Sequence, residues 1–425
     1  MAEASRPGSQ PALIRRLGTF DAVVVGLGSM IGAGIFAVFG PAAAVAGSGL
    51  LLGLLIAAGV AYCNAVASAQ LAAAYPTSGG TYAYGRERLG SWWGFTAGWG
   101  FVVGKLASCA AMALTFATYA VPGPWWVQRL VAVAAVMAVA ALNYRGVAKT
   151  AAVTRVLVAV SVAVLAVVVV AIWLGRPGQT ASLTPGGWLD VGGWYGVLQA
   201  AGLIFFAFAG YARIATLGEE VKDPERTIPR AIPLALGITV ALYLAVAVSV
   251  LSATGADVLG RAAAPLVASV QAVGATDLGP VVRVGAAVAS LSTLLALVAG
   301  IGRTSMAMAR NGDLPGWLAG VHPRFRAPHH AELAVAVVVS VLVMTADLRG
   351  VIGFSSFGVL VYYGIANAAA FTQPARHRRW PRGLNVIGLI ACAALVVTLP
   401  WPAVVAGSVV FVVGLGGRLL IRARA

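Results

Sequence analysis

The stretch Gly26-Leu27-Gly28-Ser29-Met30-Ile31-Gly32-Ala33-Gly34-Ile35-Phe36 interrupts the first long apolar segment of the chain, at a depth that would be mid-bilayer. Four glycines in nine residues make a poor helix, since each interior glycine costs about 1 kcal/mol relative to alanine. A helix broken in hydrocarbon frees backbone groups that lipid cannot satisfy, so a break is tolerated only where protein or a water-filled cavity receives them. The freed amides and carbonyls are then available to a ligand. A second interruption, Phe205-Phe206-Ala207-Phe208-Ala209-Gly210-Tyr211, lies inside the sixth apolar segment. Paired breaks in corresponding halves of a chain point to a transporter site. Glycines that merely let helices pack closely are the competing reading.

Composition fits a polytopic membrane protein: 60% of the 425 residues are apolar, 10% are charged, and the mean hydropathy is +0.90. With about 20 apolar residues needed per crossing, twelve spans are expected. They lie at 20–45, 48–73, 91–120, 127–144, 153–174, 194–217, 231–253, 281–308, 332–346, 350–372, 384–399 and 401–417. Pro400 and Pro402 around Trp401 mark a turn at an interface. The polar stretch 75–84 reads as an inner interfacial or re-entrant piece, 175–193 as a flexible outer loop, and 254–280 as a short interfacial helix over the entrance or a plain connector. No cleavable signal peptide is evident, so residues 1–18 read as a cytoplasmic tail.

The 29 Lys and Arg exceed the 13 Asp and Glu, for a net charge of +16. On the twelve-span layout, with residues toward span ends counted with the adjoining segment, 22 of the 29 basic residues fall in inner segments, five in outer segments, and Lys105 and Arg213 within spans. That asymmetry orients the protein with both termini in the cytoplasm, as a multi-pass protein of the plasma membrane. The surplus is therefore topological and implies no nucleic acid. Cys63, Cys109 and Cys392 are scattered in apolar segments and form neither a disulfide framework nor a metal spacing.

Five stretches carry a resemblance to the amino acid-polyamine-organocation superfamily of secondary transporters. They are Ile-Gly-Ala-Gly-Ile-Phe at 31–36, Tyr-Pro-Thr-Ser-Gly-Gly-Thr-Tyr at 75–82, Phe-Phe-Ala-Phe-Ala-Gly-Tyr at 205–211, Glu-Glu-Val-Lys-Asp-Pro-Glu-Arg-Thr-Ile-Pro-Arg-Ala-Ile at 219–232, and Met-Ala-Arg-Asn-Gly-Asp-Leu-Pro at 308–315. The resemblance implies an all-α, leucine-transporter-like fold of two five-helix inverted repeats, at 19–175 and 194–373, with helices 1 and 6 broken. Two further helices and a short tail follow at 384–425. It also implies an amino acid substrate held between the breaks. Ile31, Gly32, Ala33 and Gly34 would offer amides and a positive helix end to its carboxylate. Carbonyls at Phe205, Phe206 and Ala207 would accept from its ammonium. Phe208 and Tyr211 are read as a gate or pocket wall, or as aromatic packing, while Ile35 and Phe36 read as core.

Ionisable groups at bilayer depth are costly and functional by default. Lys105, in the middle of the third span, is a candidate for proton coupling, a counter-charge, or an organiser of carbonyls at the breaks. Arg213 and Asp21 are a candidate inner gate pair. Proton-coupled relatives of the superfamily often carry a lysine in the fifth helix, at the place that holds sodium in other members; Ser161 falls there in this chain. Either Lys105 takes that lysine's place or coupling differs. Ser290, Ser292 and Thr293 of the eighth span are hydroxyls for a sodium site with carbonyls near Gly28 and Ile31, although membrane hydroxyls more often bond their own helix. Many relatives carry an acidic residue after the second break, where this chain has Ala212. The absence of a carboxylate near the breaks favours neutral amino acids over cationic ones and leaves acidic ones open.

The reading is therefore a secondary active amino acid transporter working by alternating access, coupled to H+ or alternatively to Na+. Exchange, cationic amino acid or polyamine transport, and a non-transporting membrane sensor are the alternatives. His322, His329, His330 and His377 are all assigned to cytoplasmic loops, and His329 and His330 beside Glu332 read as solvated rather than as a metal site. No nucleophile, base or metal cluster sits near the membrane, no phosphate-binding loop is present, and no cofactor or obligate protein subunit is implied.

Overall fold

The computed structural model describes residues 17–76, 79–145, 151–178, 183–216, 220–325 and 327–424. Most of the amino-terminal tail with Arg6, Arg15 and Arg16, and also Thr77, Ser78, Lys149, residues 179–182, Glu219 and Arg326, lie outside the described residues. The helices run α1 (Thr19–Met30), α2 (Ala33–Ala37), α3 (Phe39–Ala46), α4 (Leu50–Ala74), α5 (Gly80–Leu89), α6 (Ser91–Ala120), α7 (Trp125–Tyr144) and α8 (Ala151–Leu174). They continue as α9 (Gly193–Phe208), α10 (Ala212–Ala215), α11 (Pro224–Arg261), α12 (Pro265–Ala272), α13 (Gly279–Arg310), α14 (His329–Thr345), α15 (Leu348–Phe371), α16 (Arg382–Thr398) and α17 (Trp401–Arg424). Among the described residues the only strand-like pairing is a parallel bridge between Leu17 and Val221. Among the described residues nine apolar stretches are long enough to cross a bilayer, and Gly193–Phe208, His329–Thr345 and Arg382–Thr398 are shorter apolar helices. The protein is an all-α polytopic membrane protein.

The centre of the bundle is the crossing of α6 and α15. Glycines allow it: a Cβ at Gly100 would stand 2.8 Å from the Gly358 carbonyl, and one at Gly358 would stand 3.0 Å from the Gly104 Cα. Without a hydrophobic drive between helices in lipid, this close backbone approach supplies the packing. Ser108 and Ser355 hydroxyls, 2.7 Å apart, link the same two helices. Around that crossing, α7, α8 and α17 expose Leu130, Met137, Val156, Val170 and Val412, which is the surface a hydrocarbon solvent requires.

The stretch read as interfacial at 75–84 ends in the short helix α5, which is pinned from three sides. Thr81 N–H donates to the Tyr362 hydroxyl (3.1 Å), Tyr84 hydroxyl to the Ala215 carbonyl (3.3 Å), and Tyr82 hydroxyl to Asp313 (2.8 Å). Asp313 is buried and also takes Arg86 and Arg418, each at 2.7 Å. Burial, and then the hydrogen bond to Asp313, raises the Tyr82 phenol above its usual range, so it remains a neutral donor. Arg418 thereby fastens the end of α17 to the loop after α13. Breaking such a buried pair costs about 3–5 kcal/mol.

The segment 254–280 contains a true helix, α12, entered after a kink at Gly255 (φ 72°). It packs on the first broken helix: a Cβ at Gly40 would stand 3.4 Å from Pro265. The His329–His330 pair is not in a loop as expected. It opens α14, its rings pack among Tyr144, Trp317 and His322 at 5.4–6.0 Å, and Glu332 is buried. The turn His322–Phe325, with Phe325 N–H on His322 Nδ1, folds aromatic rings beside that helix start and leaves both histidines partly exposed.

Candidate functional site between the broken helices

Helix α1 stops at Met30, and Ile31 (φ −80°, ψ 60°) and Gly32 (φ −107°, ψ −153°) leave helical geometry before α2 begins at Ala33. The break is short because Gly32 N–H turns back on the Met30 carbonyl at 2.8 Å. The first-turn amides of α2 have no intrahelical acceptor. Helix α9 ends at Phe208, so Phe205, Phe206, Ala207 and Phe208 form its last turn, and Ala209, Gly210 and Tyr211 make the second break.

The two breaks are in contact. A Cβ on Gly34 would stand 2.9 Å from the Cα of Ala207, and one on Gly210 would stand 2.2 Å from the Ser29 carbonyl oxygen. Both are backbone approaches that cannot give way, so the glycines are demanded by proximity. The Tyr243 hydroxyl of α11 sits between the breaks, 2.6 Å from the Met30 carbonyl and 3.1 Å from the Ala207 carbonyl, and donates to one at a time. A helix amino end therefore faces a helix carboxyl end across the breaks, the polarity that suits a carboxylate and an ammonium on one ligand.

Lys105, buried on α6, donates to the Ala209 carbonyl at 3.4 Å, and the Tyr363 hydroxyl donates to the same oxygen at 3.2 Å. The Phe208 ring lies 5.0 Å from Tyr243 and the Tyr211 ring 4.9 Å from Tyr363, both fully buried. In this conformation they are packing rings. Ile35 and Phe36 are buried core, with the Phe36 carbonyl taking the Tyr119 hydroxyl at 2.9 Å.

The hydroxyls named from sequence do not gather around Lys105. Ser161 and Ser292 line a cavity of about 270 Å³ together with Gly28 and Ile31, and Lys105 is not part of it. Thr293 faces Gly32, whose hypothetical Cβ would stand 2.2 Å from its Oγ1. Ser290 is buried and lines no part of the cavity. Ser161, Ser290 and Thr293 each donate to their own helix, at Leu157, Ala286 and Ala289.

The expected Asp21–Arg213 pair is replaced by another. Asp21 binds Arg155 of α8 at 2.5 Å, while Arg213 lines the cavity with Arg303, Glu220 and Asn143. Arg155 wins because α1 packs along α8, with Gly28, about two turns beyond Asp21, against Thr154 and Val158. Sequence reading missed Tyr243, a lone tyrosine in an apolar run, and Tyr363, the second of the pair Tyr362-Tyr363. It also missed Arg303, which the layout treats as an orientation marker.

A model of the amino acid permease family matches residues 17–413. An uncharacterized transporter of Mycobacterium tuberculosis is 59% identical over 416 residues, covering 97% of this chain and 93% of the relative. The branched-chain amino acid permease of Bacillus subtilis is 26% identical, covering 96% and 92%. A cationic amino acid transporter of Arabidopsis thaliana, number 7 and chloroplastic, is 28% identical, covering 91% and 70%. Broken helices that meet through glycine, in a chain matched along nearly its whole length, leave one assignment: the protein is a membrane transporter, not an enzyme, and belongs to the amino acid permease family of the amino acid-polyamine-organocation superfamily.

Proposed function

We propose that this amino acid transporter moves neutral amino acids across the plasma membrane by alternating access, driven by the proton gradient, with both termini cytoplasmic. The observation that carries the reading is the contact between Gly34 and Ala207, which sets the amino end of α2 against the carboxyl end of α9. The substrate carboxylate binds the amides from Ile31 to Gly34, and its ammonium binds carbonyls of the turn Phe205–Phe208. Phe208 and Tyr211 border the side-chain pocket. Repeats at 19–175 and 194–373 supply one break each, and rocking one helix group against the other exposes the site alternately.

Neutral side chains are favoured because, among the described residues, the cavity beside the breaks is lined by one carboxylate, Glu220, whose carbonyl is tied to Leu17. Lys105 is assigned the coupling role: a lysine without a carboxylate partner can exchange a proton when desolvated, and here its ammonium holds the Ala209 carbonyl. Sodium is the second reading, supported by Ser161 and Ser292 facing one cavity with Gly28 and Ile31.

The test is uptake of labelled amino acids into proteoliposomes under imposed pH or sodium gradients. Proton-driven uptake of leucine, valine or alanine is expected. Uptake driven by sodium alone would move coupling to the hydroxyl cavity. Transport of none of the amino acids would overturn the substrate class.

A further inference from the structure

The cavity beside the first break has a charged wall that the transport reading leaves unused. Its lining runs from Leu17, before α1, to Gly28, Ser29 and Ile31, so it lies against the first break and reaches toward the face where α1 begins. Arg213, the second residue of α10, and Arg303 on α13 both line it. Neither makes an ion pair among the described residues. The carboxylates around them are otherwise engaged or set back. Asp21 is held by Arg155, Glu220 is the one acidic residue among the described lining residues, and Glu332 of α14 is buried against Gly302.

Arginine stays charged in any such setting. A cleft with low-dielectric walls focuses the field of its charges and raises the local concentration of the opposite sign. Among the described lining residues, two guanidiniums stand against one carboxylate, which makes that wall positive. A zwitterionic ligand can enter it carboxylate first, whereas a ligand with a second, cationic end meets repulsion.

We propose that this cavity is an antechamber for carboxylates, in which Arg213 and Arg303 receive the α-carboxylate of an amino acid on its way to or from the breaks and turn away amino acids with cationic side chains. The substrate part of this proposal rests on the transport reading above; the charge selectivity of the cavity does not. Selectivity by sign also separates this chain from relatives named for cationic amino acids, whatever contacts the breaks themselves make.

The first test needs no transport. Ala299 lines the same cavity, and the native cysteines Cys63, Cys109 and Cys392 are buried. Ala299→Cys in the full-length protein is treated with methanethiosulfonates carrying either a sulfonate or a trimethylammonium group, each rate being normalised to that with a free thiol. The anionic reagent is expected to react about tenfold faster, within the range of electrostatic steering. Adding Arg213→Gln and Arg303→Gln is expected to bring the ratio to about one, as is raising the salt until the charges are screened. A ratio near one in the parent, or a preference that survives the loss of both arginines, overturns the antechamber.

The second test uses proteoliposomes with leucine and lysine presented to the α1 face. The double variant should raise the leucine KM at that face about tenfold at low salt and leave the opposite face unchanged, while lysine becomes a competitor. Unchanged exclusion of lysine with intact leucine uptake removes the filter. If the parent moves no amino acid, the transport reading fails, and the thiol ratios still decide the charge selectivity.

Discussion

The two interrupted helices meet the same need, to satisfy backbone freed inside a bilayer, through different partners. At the first break the Met30 carbonyl is met by Gly32 of its own chain turn and by Tyr243, whose hydroxyl also reaches Ala207 beside the second break. At the second break the Ala209 carbonyl is met by Lys105 from α6 and Tyr363 from α15, helices that cross each other tightly at Gly100, Gly104 and Gly358. Tyr243 therefore ties the breaks to each other, and Lys105 with Tyr363 ties one of them to the central crossing. The segments before α1 and after α10 are strapped too: Leu17 N–H donates to the Glu220 carbonyl and Lys222 N–H donates to the Leu17 carbonyl, at 3.1 and 2.8 Å. A rocking motion that keeps α1 and α10 together keeps the Tyr243 bridge and remakes the contacts at Ala209.

The largest effect is expected where the breaks touch. Gly34→Val drives a branched side chain into the Ala207 backbone. Transport should fall by about a hundredfold or more, the scale set by ångström misplacement at a working site. Surface expression and a thermal melt report whether the protein still inserts and folds. Normal transport by a folded Gly34→Val would remove the breaks as the substrate site.

Next is Lys105→Met, which deletes the ammonium from the Ala209 carbonyl and keeps the chain length. Gradient-driven uptake should be lost, and substrate exchange across a symmetrical pH should persist within about threefold, because the site itself is intact. Equal loss of both would make Lys105 part of substrate binding rather than of the cycle. Tyr243→Phe is expected to act in the opposite sense. It leaves a buried carbonyl unpaired, a cost of about 1–3 kcal/mol, read as an increase of about tenfold in KM with the pH dependence retained. If Tyr243→Phe and Lys105→Met shift the same parameter, the division of labour between the breaks is wrong.

The first break was legible because glycine acts through the backbone itself, and Gly28, Gly32 and Gly34 crowd one short run. The second was legible as a region, 205–211, broader than the break itself. Phe205 to Phe208 are good enough helix formers to carry α9 to its end, and the interruption falls at Ala209–Tyr211, where Gly210 closes on Ser29. Partners from distant segments were not legible. Asp21 and Arg155 are 134 residues apart, and two charges within apolar spans invite any pairing until helix packing fixes one. Tyr243 carries no local signal, since a tyrosine in an apolar run reads equally as an interface anchor. The buried Asp313 with Arg86 and Arg418 is of the same kind: each side chain alone marks only the polar edge of a span.

The smallest effect separates a cation site from a plain cavity. Ser161 and Ser292 share a lining with Gly28 and Ile31, yet the Ser161 hydroxyl already donates to Leu157 at 2.9 Å and offers only its lone pairs inward. A hydroxyl bonded to its own helix gains little as a ligand unless an ion draws on those lone pairs. With proton coupling at Lys105, Ser161→Ala should change leucine uptake by less than about twofold, because the alanine takes away a hydrogen bond internal to one turn. With sodium in the cavity, removing one oxygen ligand should weaken sodium activation by about tenfold, since a hard cation depends on each oxygen around it. Sodium titration of uptake by Ser161→Ala thus locates the coupling ion from the break that lacks the lysine, and a tenfold shift would move the motor of the cycle from Ala209 to Ile31.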